Sequence, residues 1–430
     1  MKKYFFLLSF IVASAMMLSC SSSSGEGEVD DPEDVVYMLP NTTPVRLTAE
    51  QRDFVYDNNS FTLNFLKTMN EAATGGKSFV CSPLSITYLL AMVNDAATGE
   101  VERELEQTLG FHEGGIQAVN DYCKNLIDNL PKVDENVQLT IANAIFVNQY
   151  YTLKSQFQQD MQTYYDAKAE ALDFSSPATL SRINGWCSEK TKGMIPTILD
   201  EVNADAVSYL LNAIYFKANW ESKFDPKKTK TETFTTAHGT RQMPLMHQKV
   251  MTGYTKTDAY AAVTLPYGSG LWNMTVLLPE EGRTTDDVIS LLAETGWSLD
   301  YRKNPLLSYY EAEVDLKLPR FETSSDTDET IGGLVELLKT MGIQQAFNPL
   351  TTEIPNMCNV PVFISKMRQK AKIEVNEEGA KMAAVTVAEM ELMAAPPGEE
   401  VNFHANRPFV YLVREASSGV ILFVGKYTGE

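Results

Sequence analysis

Apolar positions along the chain follow two regimes, helical spacing up to about residue 192 and short β-rich runs beyond it. In the first regime Phe61, Phe65, Leu66 and Met69 share one helical face. Ser82-Pro83 reads as a helix opening: serine can accept from the orphan backbone N–H groups, and proline fits the first turn. The body of that helix carries Leu89, Leu90 and Val93. The same spacing predicts helices over 101–109, 116–130, 153–165 and 179–192. Between them 137–141 alternates as a strand and continues through 143–147.

In the second regime, 209–220 is a long, nearly uncharged run, as a buried central strand requires. Strand-like runs recur at 259–265, 273–278, 312–321 and 362–375. The chain closes with 409–414, a Ser417-Ser418-Gly419 turn and 420–424, a hairpin signal. Helices gathered early and strands gathered late predict an α+β fold with large, mostly antiparallel sheets. No internal repeat or Pro/Gly/Ser linker divides 47–430, so it is expected to be one domain.

The N-terminus departs from both regimes. Lys2 and Lys3 precede an apolar stretch over 4–18, then Ser19 and Cys20, the layout of a secretory signal peptide. The stretch is too short to span a bilayer comfortably. Met17-Leu18-Ser19-Cys20 resembles a bacterial lipobox, which implies removal of 1–19 and lipidation of Cys20. Residues 20–46, with serines at 21–24 and acidic positions after them, read as a flexible tether. The expected location is a bacterial cell envelope, at the outer membrane or cell surface. The net charge of −20 argues against nucleic acid as a partner. Beyond Cys20, the thiols Cys81, Cys123, Cys187 and Cys358 are scattered without CxxC spacing. They are expected as small buried hydrophobes, with two disulfide bridges as the alternative.

Catalytic and cofactor motifs are missing. The histidines are His112, His238, His247 and His404, and none lies in HExxH. There is no GxSxG, no P-loop and no GxGxxG after a strand. The sequence therefore predicts neither an enzyme nor a cofactor or metal. What does not fit an ordinary domain is 377–400. It is small and β-capable through Val385, Thr386 and Val387, ends near Pro396-Pro397, and is too long for a plain connector.

Here a family resemblance becomes specific. Val375-Asn376-Glu377-Glu378-Gly379-Ala380 resembles the reactive-loop hinge of the serpins. Asn406-Arg407-Pro408-Phe409 and Phe423-Val424-Gly425-Lys426 resemble the two signatures that follow that loop. The stretches 79–86, 191–195 and 212–220 are similar to further family motifs, and the match runs in order from 47 to 426. The resemblance implies the serpin fold: a large central, mostly antiparallel sheet, further sheets, about eight or nine helices and an exposed reactive-centre loop. It also implies a single-use inhibitor, cleaved in that loop, which traps the protease as an acyl-enzyme while the loop inserts into the sheet.

Carried onto this chain, the family's loop length puts the reactive bond at Met393–Ala394, with Leu392 and Met390 as alternative cut sites. The hinge is Glu377, Glu378, Gly379, Ala380, Lys381, Met382, Ala383, Ala384, Val385 and Thr386. Extended, the segment from Gly379 to Met393 spans roughly 45 Å at about 3.3 Å per residue. Ala380, Met382, Ala384 and Thr386 would share one face, and Met382 departs from the small residue usual at its position. Trp220, Arg320 and Glu377 match the family's breach; Ser82, Ser85, Asn212 and Gln369 match its shutter, with Gln369 where a histidine is common. Met393 suits elastase- or chymotrypsin-like serine proteases. A papain-like cysteine protease is the alternative target, and a non-inhibitory substrate or binding module the alternative role. The expected partners are the target protease and, through the lipid, a membrane; the expected state is a monomer.

Overall fold

Thr48 opens the first helix with a capping box: its hydroxyl accepts from the Gln51 N–H, and the Gln51 side chain accepts from the Thr48 N–H. Helix α1 (Ala49–Ala72) then buries Phe54, Phe61, Phe65, Leu66 and Met69. The structure is a computed structural model and describes residues 39–73, 76–112, 114–296, 310–380 and 400–430. Cys20, the stretch from Lys381 to Thr386, Met390, Leu392, Met393 and Ala394 lie outside the described residues.

Helices α2 (Pro83–Ala96), α3 (Gly99–Leu109), α4 (Gly115–Asn129), α5 (Ser155–Tyr164) and α6 (Pro177–Lys190) follow, close to their predicted spans. Nearly every residue of α2 is buried, as expected of a helix that is apolar all round. Later come α7 (Thr285–Thr295), α8 (Thr327–Ile331) and α9 (Leu334–Thr340). The sequence reading missed α7, although Thr284 and Asp287 form a capping box just before its apolar run.

The strands in the first half are β1 (Phe79–Cys81), β2 (Val137–Asn148), β3 (Lys168–Leu172) and β4 (Ser208–Asn219). Next are β5 (Lys230–Thr236), β6 (Gly239–Lys256), β7 (Tyr260–Tyr267), β8 (Trp272–Pro279), β9 (Tyr310–Pro319) and β10 (Phe321–Asp326). The last are β11 (Lys370–Val375), β12 (Gly379–Ala380), β13 (Glu400–His404), β14 (Phe409–Glu415) and β15 (Ile421–Tyr427). Among the described residues, nine strands form one sheet in the order β1-β15-β14-β8-β7-β6-β9-β13, with β5 pairing β6. A four-stranded sheet runs β12-β4-β2-β3, and β10-β11 is a separate pair. Pairing is antiparallel except at β2–β3 and β9–β13.

Two predicted strands differ from the structure. The run over 312–321 is divided at Arg320, where the chain leaves the nine-stranded sheet and joins β11. Alternation reports which face is buried, not which sheet a strand joins. The run over 362–375 becomes a ladder only from Lys370. Before it, Gln369 exchanges bonds with the start of α8: its N–H donates to the Thr327 hydroxyl, and its carbonyl accepts from the Thr327 N–H, both 3.0 Å. The four thiols are free and buried, as small hydrophobes.

Gly425 in β15 shows how tightly the sheet is packed. A Cβ there would lie 2.5 Å from the Tyr411 ring tip and 2.6 Å from the Phe79 carbonyl. Gly425→Ala should lower stability by about 2 kcal/mol through overpacking, read from urea unfolding. An unchanged midpoint would contradict that packing.

Candidate functional site: the seam between β4 and β11

Strand β11 ends at Val375, and a tight turn sends the chain back as β12 beside β4, with Gly379 opposite Asn219 and Ala380 opposite Ala218. Asn376 and Gly379 exchange N–H to carbonyl bonds of 3.1 and 3.2 Å. The turn carbonyls are also held: Glu378 accepts from the Trp220 N–H at 2.9 Å, Glu377 from the Phe224 N–H at 3.1 Å. Asn376 accepts from the Trp220 indole at 2.9 Å. Gly379 has φ +133°, and a Cβ would meet the Ala218 carbonyl at 2.3 Å, so only glycine fits.

Below β12, no ladder joins β4 to β11 among the described residues. Two narrow cavities of about 20 Å³ each line this seam. The upper is walled by Ile195, Ile214, Phe216, Ile373 and Phe423. The lower is walled by Ser85, Ile198, Asn212, Gln369 and Lys370. A seam flanked by strands of two separate sheets is a template for strand addition.

At its upper end, Arg320, Glu377 and Trp220 come together. Arg320 makes a two-pronged pair with Glu377, one prong at 3.0 Å from Nε to Oε2. The Thr229 hydroxyl donates to Glu377 at 2.6 Å. Burial pushes the Glu377 carboxyl up, but the bonds from Arg320 and Thr229 outweigh it and hold it below its usual range. Trp220 stacks on Tyr267 with centroids 4.3 Å apart. Glu378 pairs with Lys223 at 2.7 Å.

At its lower end, Ser82, Ser85, Asn212 and Gln369 are buried or nearly so and form two linked pairs. Gln369 accepts from the Ser82 N–H at 3.0 Å and donates to the Ser82 carbonyl at 2.7 Å. Ser82 was expected to cap α2, but its hydroxyl makes no cap bond; it donates to the Leu422 carbonyl at 2.7 Å. Packing against β15 turns the hydroxyl toward a sheet carbonyl, where it donates, and away from the N–H donors of the helix end. The Ser85 hydroxyl donates to Asn212 Oδ1 at 2.5 Å, and Asn212 donates to Asn143 Oδ1 at 2.8 Å. From Asn143 the chain of bonds continues through the Tyr165 carbonyl, then the Tyr165 hydroxyl and Asn120, to Asp95.

Thr229, Asn143, Tyr165, Asn120 and Asp95 were not singled out from the sequence. Asn143 carried a usable signal, a polar residue inside an apolar strand run. Among the described residues no cluster of His, Cys, Asp and Glu could hold a metal, and no helix is long and apolar enough to cross a membrane.

Comparisons with known proteins agree with this geometry. A family model described as serpin (serine protease inhibitor) matches residues 56–429. Serpin B6 of Macaca fascicularis is 30% identical over 379 residues, covering 86% of this chain and 98% of that protein. An uncharacterized serpin-like protein of Thermococcus kodakarensis is 29% identical over 425 residues, covering 98% of this chain and 96% of its own. Among solved structures, the thermophilic serpin tengpin in its native state matches with TM-score 0.77 at 25% identity, covering 90% of this chain and 96% of tengpin.

The polar chain ending at Asp95 makes a pH prediction. Burial raises the Asp95 carboxyl to about 6 from an ordinary 3.8, against the lowering bond from Asn120. A raised folded-state value means that its stabilising share is complete below 3.8 and lost as pH rises through about 6. Asp95→Asn should therefore raise stability at pH 7.5 by on the order of 1–2 kcal/mol, discounted for partial exposure, and add nothing at pH 3.5. Equal gains at both values would contradict a charged, buried Asp95.

Proposed function

The chain belongs to the serpin family of serine protease inhibitors, and from that premise we propose that it is a single-use trap for elastase- or chymotrypsin-like serine endopeptidases. Membership of a family described as serine protease inhibitors supports an inhibitor rather than a catalyst. In the proposed mechanism the protease cleaves at Met393–Ala394, is held as an acyl-enzyme on Met393, and is dragged away as the freed loop enters the seam. The observation that carries this reading is the seam itself, already begun at its top by Gly379 and Ala380.

Continuing that register would bring Met382 opposite Phe216, Ala384 opposite Ile214, Thr386 opposite Asn212 and Met390 opposite Ser208 at the foot of β4. Opposed residues of an antiparallel pair share a face. Ala218, Phe216 and Ile214 belong to the main core, so Ala380, Met382 and Ala384 would turn inward. Small side chains there limit overpacking, and Met382 is the large one. That residue favours a second reading, in which insertion is slow and the chain is cut as a substrate without trapping.

The N-terminal residues support a further part of the proposal, lipidation at Cys20 and attachment to a bacterial envelope through the 20–46 tether, and the inhibitor is proposed to act as a monomer. Recovery of the mature chain unlipidated and free in the medium would contradict the anchor.

Incubation with neutrophil elastase and with chymotrypsin, followed by a denaturing gel and mass spectrometry, tests the inhibitor reading. The expected products are an SDS-resistant complex and a released peptide beginning at Ala394. Complete cleavage within Met390–Ala395 and no complex would establish the substrate reading. Met382→Ala should raise the trapped fraction roughly twofold or more, read as the stoichiometry of inhibition. An unchanged stoichiometry would mean that Met382 does not limit insertion.

A further inference from the structure

The stretch 194–200 after α6 covers the seam, and its far end is fastened to the opposite wall. Ile195 lines both cavities, and Ile198 lines the lower one with Gln369 and Lys370. On the β4 side, Asn184 of α6 grips the stretch: its Oδ1 accepts from the Ile198 and Leu199 N–H groups at 2.8 and 2.9 Å. Its Nδ2 donates to the Leu199 carbonyl at 2.8 Å. Helix α6 is seated on the β2–β4 sheet, with Trp186 edge-on to Phe146 at 6.0 Å and Ile183 in the same apolar cluster as Leu211.

On the other side Asp200 reaches Arg368, Nη1 to Oδ2 at 2.5 Å, with Lys370 Nζ at 3.8 Å. Arg368 belongs firmly to the β10–β11 wall: its side chain is 5% exposed and forks onto Asp326, with Nε to Oδ1 at 2.8 Å. Asp200 is 67% exposed and is the movable half of the pair. The bonds from Arg368, opposed by slight desolvation and by the nearby Asp326 charge, hold its carboxyl below the usual range.

We propose that Asp200 is a positioning residue whose pair with Arg368 clasps the cover across the seam and slows strand entry; this rests on the inhibitor reading above. A strand added between β4 and β11 takes about 4.8 Å of width. The cover stays with α6 through Asn184 while Arg368 moves with β11, so the short Asp200–Arg368 bond must break as a strand enters. The clasp is therefore paid for in insertion speed and returns a longer-lived receptive state.

The test uses the whole chain and a synthetic peptide with the sequence of residues 380–390, whose annealing is followed on native gels. Asp200→Asn should anneal the peptide roughly two- to fivefold faster, the range open to a partly exposed ion pair, and Asp200→Glu should restore most of the delay. The difference should shrink at 1 M salt, where exposed charges are screened. A merely structural role for Asp200 would change neither the salt dependence nor the rescue. Equal annealing rates in the unsubstituted chain and Asp200→Asn would overturn the clasp alone. An unsubstituted chain that neither anneals the peptide nor traps a protease would overturn the inhibitor reading and the clasp with it.

Discussion

Strands β4 and β11 border one seam and share no ladder, so the free energy that such pairing supplies is withheld from the described fold. Backbone N–H and C=O groups strongly favour partners, and each protein–protein bond adds about 1 kcal/mol net. Leaving a seam unzipped inside a large domain is tolerable only if everything around it is well packed. That packing is present: α2 is buried along nearly its whole length beneath β4, and α6 lies over the other face. Wall, floor and cover are ordinary folded protein; the gap between them is the unusual element.

The two ends of the seam are controlled differently. At the top, one glycine and one ion pair decide. Gly379 passes where the Ala218 carbonyl leaves no room for a side chain, and Glu377 anchors the turn to Arg320 and Thr229. These contacts start a strand beside β4, described over Gly379 and Ala380. At the bottom, neutral hydrogen-bonding groups decide: Ser82 with Gln369, and Ser85 with Asn212. Amide and hydroxyl groups both donate and accept, so such a network can re-form around a new strand without moving a charge. Gln369 keeps that capacity where a histidine would add a titration.

Much of the α+β architecture was legible in the hydrophobic pattern, because α1 and α3 to α6 bury one face while α2, β7, β8, β14 and β15 are apolar runs buried on nearly every side. Strand β6 was not legible: its first residues are polar and exposed, and Pro244 interrupts them. Arg320 hid a change of sheet, since a period of two continues unchanged across it. The site was legible only in part. The resemblance singled out Trp220, Arg320 and Glu377; the structure pairs Arg320 with Glu377 and bonds Trp220 to the carbonyls of Asn376 and Glu378 on either side of it. Thr229, Asn143 and Tyr165 join the site through bonds between residues far apart in sequence, which no local pattern encodes. The turn that begins β12 depends on φ at Gly379, and a glycine letter alone does not say which of its conformations is used.

The central claim is the proposal that the chain beyond Ala380 can add a strand between β4 and β11, which no ladder joins among the described residues. Thermal unfolding of the intact chain and of the chain nicked within Met390–Ala395 tests this most directly. About 10 further ladder residues along β4, beyond the two already paired with β12, at about 1 kcal/mol per bond and about 2 °C per kcal/mol in a large domain, predict a rise on the order of 20 °C after cleavage. A nicked chain that unfolds at the same temperature as the intact one, or below it, would contradict the account.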